Sequence, residues 1–407
     1  MSIAKGYKQT EVGVIPEDWE VLTLKNVLNG IADVDHYMPQ TTDLGIPYIM
    51  TGDLKELVSE IDFDNCKQIS LSDYKLLSKK IKNSKGDLIL ARYATIGTVT
   101  YVDVNSDFVV SYSCVTIKPN PTKLLGTFLF NYFKSSAFRI EVSNIINTGT
   151  QANVGIGDLY AVKIALPLIT EQTAIANALS DMDALIAQTE KLIEKKKAIK
   201  QGVMQELLQP KEGWVTKKLG EVAVFRRGSF PQPYGLDKWY DHIAGKPFVQ
   251  VFDVDDNKKL KPETKRYISE DAQKMSVFAD KGTIVLTIQG SIGRIAITQY
   301  DAYIDRTLLI FESYKYEFNK YFFMHSIHQL FEIEKQSAPG GIIKTITKNA
   351  LKKFNISYPE INEQTRIGLI IKDLENDIVT IVTKLQKLKN QKQGMMQALL
   401  TGKIRLV

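Results

Sequence analysis

Residues 166–211, LPLITEQTAIANALSDMDALIAQTEKLIEKKKAIKQGVMQELLQPK, and residues 358–403, YPEINEQTRIGLIIKDLENDIVTIVTKLQKLKNQKQGMMQALLTGK, carry the reading of the fold. They align without a gap at an offset of 192, and 18 of the 46 positions are identical. Unrelated sequence of this composition would share about three, so the chain contains a duplication. Each stretch reads as one long helix. Thr170 and Asn362 are suitable N-caps, Glu171 and Glu363 complement the helix dipole, and Pro167 and Pro359 stand just before.

Apolar residues then recur with a 4-3 spacing, the period of a coiled-coil seam. In the second copy the seam runs Ile367, Ile371, Leu374, Ile378, Ile381, Leu385, Leu388, Lys392, Met395, Leu399. In the first it runs Ile175, Leu179, Met182, Ile186, Thr189, Ile193, Lys196, Lys200, Val203, Leu207. About 37 residues at ~1.5 Å each give a rod of roughly 55 Å. A helix of that length has to bury its stripe. The twin helix is the nearest partner, and the compact segment between them makes antiparallel pairing the simplest arrangement. The alternative is that each helix packs only on its own globular part.

The flanking parts repeat more weakly. Trp19, Leu24 and Val27 match Trp214, Leu219 and Val222 in a W-x4-L-x2-V spacing; GIPYIMTGDL from Gly45 resembles GKPFVQVFDV from Gly245, and GDLILARYATIG from Gly86 resembles GTIVLTIQGSIG from Gly282. Short β-type runs fill both parts: 47–50, 88–91, 99–102 and 109–117, then 248–252, 284–288, 295–298 and 308–311. Helical patches lie at 125–138 and 320–335. The expected class is α+β: a globular part over 1–165, a helix over 166–211, a second globular part over 212–357, and a helix with its tail over 358–407.

Composition narrows the function. The 407 residues are 44% hydrophobic and 24% charged, ordinary for a folded protein of two or three domains. Two cysteines, Cys66 and Cys114, far apart, support neither a disulfide framework nor a thiolate zinc site. A polar N-terminus and the lack of a long apolar run suggest a cytoplasmic protein. The net charge of +6 permits a nucleic-acid partner without demanding one. No phosphate-binding G-x-x-x-x-G-K-[ST] loop and no H-E-x-x-H motif occurs. His325 and His328, at i, i+3, lack neighbouring acidic or cysteine ligands in sequence, so no metal site is assigned. Pro231, Gln232, Pro233 and Tyr234 lack the acid or amide of a base-amine methyltransferase turn and read as a Pro-rich loop, and Glu263, Thr264 and Lys265 make only an isolated E-x-K fragment. Two similar but non-identical heads without a catalytic constellation point to bipartite recognition, for which duplex DNA is suited. A coiled-coil scaffold whose heads bind proteins fits the same pattern.

The opening YKQTEVGVIPEDWEV, the helix starts LPLITEQTAI and YPEINEQTRI, and the helix ends KQGVMQELL and KQGMMQALL with the final TGKIRL resemble the specificity subunit of type I restriction-modification systems. The resemblance implies two target-recognition domains joined by two long helices in an antiparallel, pseudo-twofold intramolecular coiled coil. It implies a non-catalytic chain bound to double-stranded DNA and to two adenine-N6 methyltransferase subunits carrying S-adenosylmethionine. Two restriction and translocase subunits using ATP and Mg complete the complex. No cofactor and no membrane is expected for this chain.

Base reading in the major groove calls for Arg or Lys at guanine, Asn or Gln at adenine and adaptable hydroxyls, on loops. The candidates are Arg92, Tyr93, Thr95, Thr150, Gln151 and Asn153 in the first part, and Gln289, Ser291, Arg294, Arg306, Lys344 and Thr345 in the second. Lys75, Lys79, Lys80, Lys82 and Lys85, and Lys258, Lys259, Lys261, Lys265 and Arg266, could follow phosphate. Met204, Leu207, Leu208, Met396, Leu399 and Leu400 are the candidate surface for docking the methyltransferase subunits, unless they cap the coiled coil itself.

Overall fold

The computed structural model describes residues 3–146, 152–337 and 346–406. It divides into two compact units, one formed by Met1–Lys191 with Val382–Val407 and the other by Leu192–Ile381. Each unit therefore combines a globular part with the start of one long helix and the end of the other.

The long helices span Ile169–Leu207 and Ile361–Leu399. Both begin one residue before the expected caps, so Thr170 and Asn362 lie in the first turn. Gln172 and Gln364 close these starts, each donating its side-chain amide to the preceding proline carbonyl, Pro167 or Pro359, at 2.9 Å. None of the 20 expected seam positions is exposed. The three lysines among them each ion-pair across the seam. In the first unit Lys392 donates to Asp183, with Lys389 to Glu190 alongside at 2.7 Å. In the second, Lys196 meets Asp377 at 3.0 Å and Lys200 meets Glu375 at 3.4 Å. Ascending numbers on one helix meet descending numbers on the other, so the pairing within each unit is antiparallel. The buried methylenes of a seam lysine serve as apolar surface while the ammonium reaches an acid at the edge.

The globular parts share one strand order, with one strand, Val277–Ala279, added in the second. In the first, an antiparallel sheet runs in the order Leu28–Ala32, Cys114–Pro119, Leu88–Ala91, Val99–Tyr101; in the second, the order is Ala223–Arg227, Leu308–Tyr314, Ile284–Thr287, Ile295–Ile297. A second sheet follows Lys67–Ile69, Ile46–Ile49, Val109–Val110 in one unit and Arg266–Ile268, Lys246–Val249, Ala302–Ile304, Val277–Ala279 in the other. In both, the only parallel pairing within this sheet joins equivalent strands, Ile46–Ile49 with Val109–Val110 and Lys246–Val249 with Ala302–Ile304. The duplication thus continues through regions where sequence identity is low.

Several element boundaries differ from the sequence reading. The run 109–117 is two strands, Val109–Val110 and Cys114–Pro119, because the chain leaves one sheet and enters the other at Ser111–Ser113. The patch 125–138 is two helices, Gly126–Lys134 and Ser136–Ile145, parted at Ser135, whose hydroxyl caps the second. Among the described residues no helix is long and apolar enough to cross a membrane, and no group of three or more His, Cys, Asp or Glu could hold a metal ion.

His325 and His328 face inward on the helix Lys320–Ser337, and His325 is fully buried. Burial, and after it the Lys258 ammonium, hold His325 well below the usual imidazole range and push His328 down to about 4. An unfolded histidine titrates near ~6.5, so between about 6.5 and 4 the unfolded chain binds more protons, and stability rises with pH. The second unit should be at full stability above pH ~6.5 and lose up to about 3 kcal/mol from His328 as pH falls toward 4. Hydrogen exchange across this helix between pH 7 and 4.5 checks this, and His328→Gln should flatten the acid slope. An unchanged slope would contradict it.

Candidate nucleic-acid interface

The equivalent hairpin loops 92–98 and 288–294 join Leu88–Ala91 to Val99–Tyr101 and Ile284–Thr287 to Ile295–Ile297. They fold alike: the N–H of Gly97 bonds to the Ala91 carbonyl at 3.1 Å, and that of Gly293 to the Thr287 carbonyl at 3.0 Å. Both loops need a left-handed residue at the same place, φ +56° at Ala94 and +71° at Gly290. One copy supplies the glycine that this conformation favours; the other holds an alanine there at a cost of ~1 kcal/mol.

This geometry sorts the candidates. Thr95 and its counterpart Ser291 are exposed, and Tyr93 and its counterpart Gln289 are half-buried. Arg92 requires a correction, because it does not reach the surface. Its side chain is 7% exposed and donates Nη2 to Asp33 Oδ2 at 2.6 Å and Nη1 to the Val154 carbonyl at 3.4 Å. Lys80 reaches the same Asp33 at 2.7 Å. The duplication already held the signal, since Arg92 aligns with Ile288, which is 4% exposed. That position of the loop points inward, and arginine can occupy it only with a buried acid beside it.

Arg294 is half-buried, with Nε 3.0 Å from Asp256 and Nη1 3.3 Å from the Val254 carbonyl, so it spends its donors on the neighbouring loop. Asn153 is half-buried beside Val154. Thr150, Gln151, Lys344 and Thr345 lie outside the described residues. Arg306 is exposed, on the turn where the second unit's chain crosses between its sheets.

The expected docking residues also need correction. Leu207 and Leu208 are buried in the core of the second unit, with Met204 packed on it; Leu399 and Leu400 are buried in the core of the first, with Met396 packed on it. These side chains are consumed by the chain's own cores. The apolar ends of the helices pay for themselves by fastening each helix end to a globular part.

Sequence reading names Arg266 and Arg306 on the second unit but misses the aromatic residues over which they and Lys238 lie. Lys238 lies over Trp239 at 4.3 Å, Arg266 over Tyr240 at 4.6 Å and Arg306 over Tyr234 at 5.1 Å. Phe230 joins them, packing on Tyr234 at 5.0 Å and on Tyr240 at 5.5 Å. The Pro231–Tyr234 segment was legible only as a loop, because the residues that give it meaning are distant in sequence. A cation held over an aromatic ring keeps N–H donors for other partners, which suits phosphate oxygens and base edges alike, although Arg266 gives one of its donors to the Tyr240 hydroxyl at 2.6 Å. In the first unit Lys80 and Lys82 are instead engaged by Asp33 and by Asp107, the latter at 2.9 Å.

The sequence matches the type I restriction modification DNA specificity domain twice, over residues 16–200 and 211–390. It is 25% identical to the putative type I restriction enzyme MjaX specificity subunit of Methanocaldococcus jannaschii, over 99% of this chain and 97% of that one. The fold is similar to that of the HsdS subunit from Thermoanaerobacter tengcongensis, with a TM-score of 0.54 at 18% identity over 96% of this chain and 98% of that one. A chain solved in a study of complex assembly and conformational transition of the type I R-M system gives a TM-score of 0.61 at 18% identity, over 96% of this chain and 99% of the other.

Proposed function

Because the chain belongs to the family of type I restriction modification DNA specificity domains and carries that domain twice, we propose that its two units each read one half of a split DNA target whose halves differ. Its role is that of the DNA sequence specificity subunit of a type I restriction-modification system. The observation that supports divided reading is the repetition of one scaffold under different side chains. Equivalent loops present Tyr93 and Thr95 in one unit and Gln289 and Ser291 in the other, and the turns where the chain changes sheets carry Tyr112 and Arg306. A rigid two-sheet support with variable loop residues is how one fold serves different sequences.

In this reading the chemistry belongs to the partners: two methyltransferase subunits transfer the methyl group of S-adenosylmethionine to adenine N6, and restriction subunits use ATP and Mg. This chain holds none of these groups itself and supplies position. The DNA-facing set is Tyr93, Thr95, Asn153, Gln289, Ser291 and Arg306, with the four candidates at Thr150, Gln151, Lys344 and Thr345 retained. Arg92 serves from beneath by bracing its hairpin loop, and Arg294 by bracing the second.

Co-expression with the methyltransferase encoded beside it, in a host lacking both, tests the function. Mapping N6-methyladenine across the host genome should show one asymmetric, interrupted motif that vanishes when this chain is omitted. Methylation without a motif, or none from a competent methyltransferase, would favour a protein-binding scaffold instead.

A further inference from the structure

We infer that Arg306 reads a guanine in the half-target of the second unit and that Tyr234 is the positioning residue that aims it; this rests on the divided reading proposed above. The argument begins at the turns where each chain segment passes between its two sheets. The first residue of each turn is pinned to one sheet, Ser111 N–H to the Ile49 carbonyl at 2.9 Å and Asp305 N–H to the Val249 carbonyl at 3.0 Å. The third is pinned to the hairpin loop, its carbonyl accepting from Arg92 N–H at 2.9 Å in one unit and from Ile288 N–H at 2.9 Å in the other. With both ends held, the middle residue is presented beside the candidate loop. That residue is Tyr112 in the first unit and Arg306 in the second.

Arg306 differs from its neighbouring arginines. Arg226 pairs with Glu312 at 3.7 Å, Arg294 with Asp256 at 3.0 Å, and Arg266 donates to the Tyr240 hydroxyl at 2.6 Å. Among the described residues the Arg306 guanidinium has neither an ion pair nor a hydrogen bond. Its contact is the face of Tyr234, 5.1 Å from guanidinium carbon to ring centroid. A cation over an aromatic ring uses no hydrogen-bond acceptor, so the N–H groups from which guanine O6 and N7 accept as a pair are left without a partner among the described residues.

The platform beneath it is built rather than incidental. The Tyr234 hydroxyl donates to Asp305 Oδ2 at 3.2 Å and accepts from the Gln250 amide, while the ring packs on Phe230. Asp305, 1% exposed, also accepts from Thr307 N–H at 3.0 Å and Thr307 Oγ1 at 2.5 Å. Gly228 lies so close that a Cβ there would come within 2.3 Å of the Asp305 and Ile304 carbonyls, so glycine is what lets this segment approach the turn. Among the described residues the first unit shows no counterpart: Tyr112 stacks on His36 at 4.7 Å and offers no guanidinium. Position 306 therefore sets specificity in the second half-target alone.

The test maps methylation motifs for complexes carrying Arg306→Ala, Arg306→Lys, Tyr234→Phe and Tyr234→Ala, with Arg226→Ala as a control. Arg306→Ala should relax one guanine in one half-target, by about 5- to 100-fold in preference over other bases, leaving every other position intact, while Arg306→Lys, which still donates to guanine but without the planar fork, should keep part of that preference. Tyr234→Phe keeps the ring and should retain that preference. Tyr234→Ala should relax the same guanine and raise KM for the target with kcat unchanged. Overturning results are a half-target without guanine, an unchanged motif in Arg306→Ala, or a uniform fall at all targets that Arg306→Lys restores, which marks a phosphate contact. If Arg306→Ala abolishes methylation altogether, Arg306→Gln, made alongside, decides: unchanged guanine preference overturns the inference, and relaxation at that one position supports it. A wild-type complex without any motif refutes the divided reading itself.

Discussion

Replacing Arg405 by methionine is expected to destabilise the first unit by about 3–5 kcal/mol, the cost of stranding a buried charge. The stranded group is Glu171, whose side chain is 2% exposed. Arg405 donates Nε to one of its oxygens at 2.6 Å and Nη2 to the other at 2.8 Å, and also grips Asp18 at 2.9 and 2.8 Å. Among the described residues only the Trp19 indole N–H, at 3.0 Å, would remain on Glu171. Urea unfolding with hydrogen exchange across 1–191 measures the loss. The double substitution Arg405→Met with Glu171→Gln should recover part of it, because the uncompensated charge is then gone. The second unit offers an internal comparison: the matching Glu363 pairs with Arg366 one turn along at 2.7 Å, with side chains 35% and 55% exposed. Arg366→Met should cost no more than about 0.5 kcal/mol. Equal effects of the two arginine substitutions would refute the argument from burial.

Gln172→Leu should cost the first unit about 3 kcal/mol, and Gln364→Leu the second about 2 kcal/mol, from orphaned backbone groups. Gln172, 0% exposed, accepts from Leu125 N–H at 2.9 Å and donates to the Lys123 and Pro167 carbonyls, each at 2.9 Å. It fastens the start of the long helix to the segment entering the helix Gly126–Lys134. Gln364 does the same with fewer bonds, accepting from Asn319 N–H at 3.1 Å ahead of the helix Lys320–Ser337 and donating to the Pro359 carbonyl. Leucine matches the volume, so the effect isolates the hydrogen bonds. Thermal unfolding of each variant checks the order of the two losses; a change below about 0.5 kcal/mol in both would contradict it.

These two cases explain why the repeated Glu-Gln-Thr triplet was visible in the sequence without its meaning being visible. The repetition marks 171–173 and 363–365 as matched, yet apart from Pro167 the partners of Gln172 and Glu171 lie between 47 and 234 residues away. The same limit applied at the reading surface. The hairpin loops are legible from their resemblance to one another, whereas an arginine in such a loop suggests a guanine contact that the buried Arg92 does not offer. Its alignment with Ile288 was the better guide, since strand and loop positions that correspond in a duplication share an orientation even when their chemistry differs. Tyr234 sits in a segment that reads as a Pro-rich loop because it lacks the acid or amide of a methyltransferase turn, and its partners Asp305, Gln250 and Arg306 are distant in sequence.

Order along the chain by itself determines the duplication, the long helices with their seam, the strand-rich character of both globular parts, and the resemblance carried by the helix ends. Periodicity and repetition are one-dimensional, and the backbone converts them directly into faces and lengths. The folded structure decided which side chains remain available. Burial of Arg92 beside Asp33, capture of Leu207, Leu208, Leu399 and Leu400 by the cores, and the stacking of Arg306 on Tyr234 all depend on residues that meet only when two sheets and two helices close together. Charge and hydrogen-bonding capacity belong to the residue, whereas exposure and orientation belong to its surroundings, and a recognition surface is defined by the second pair.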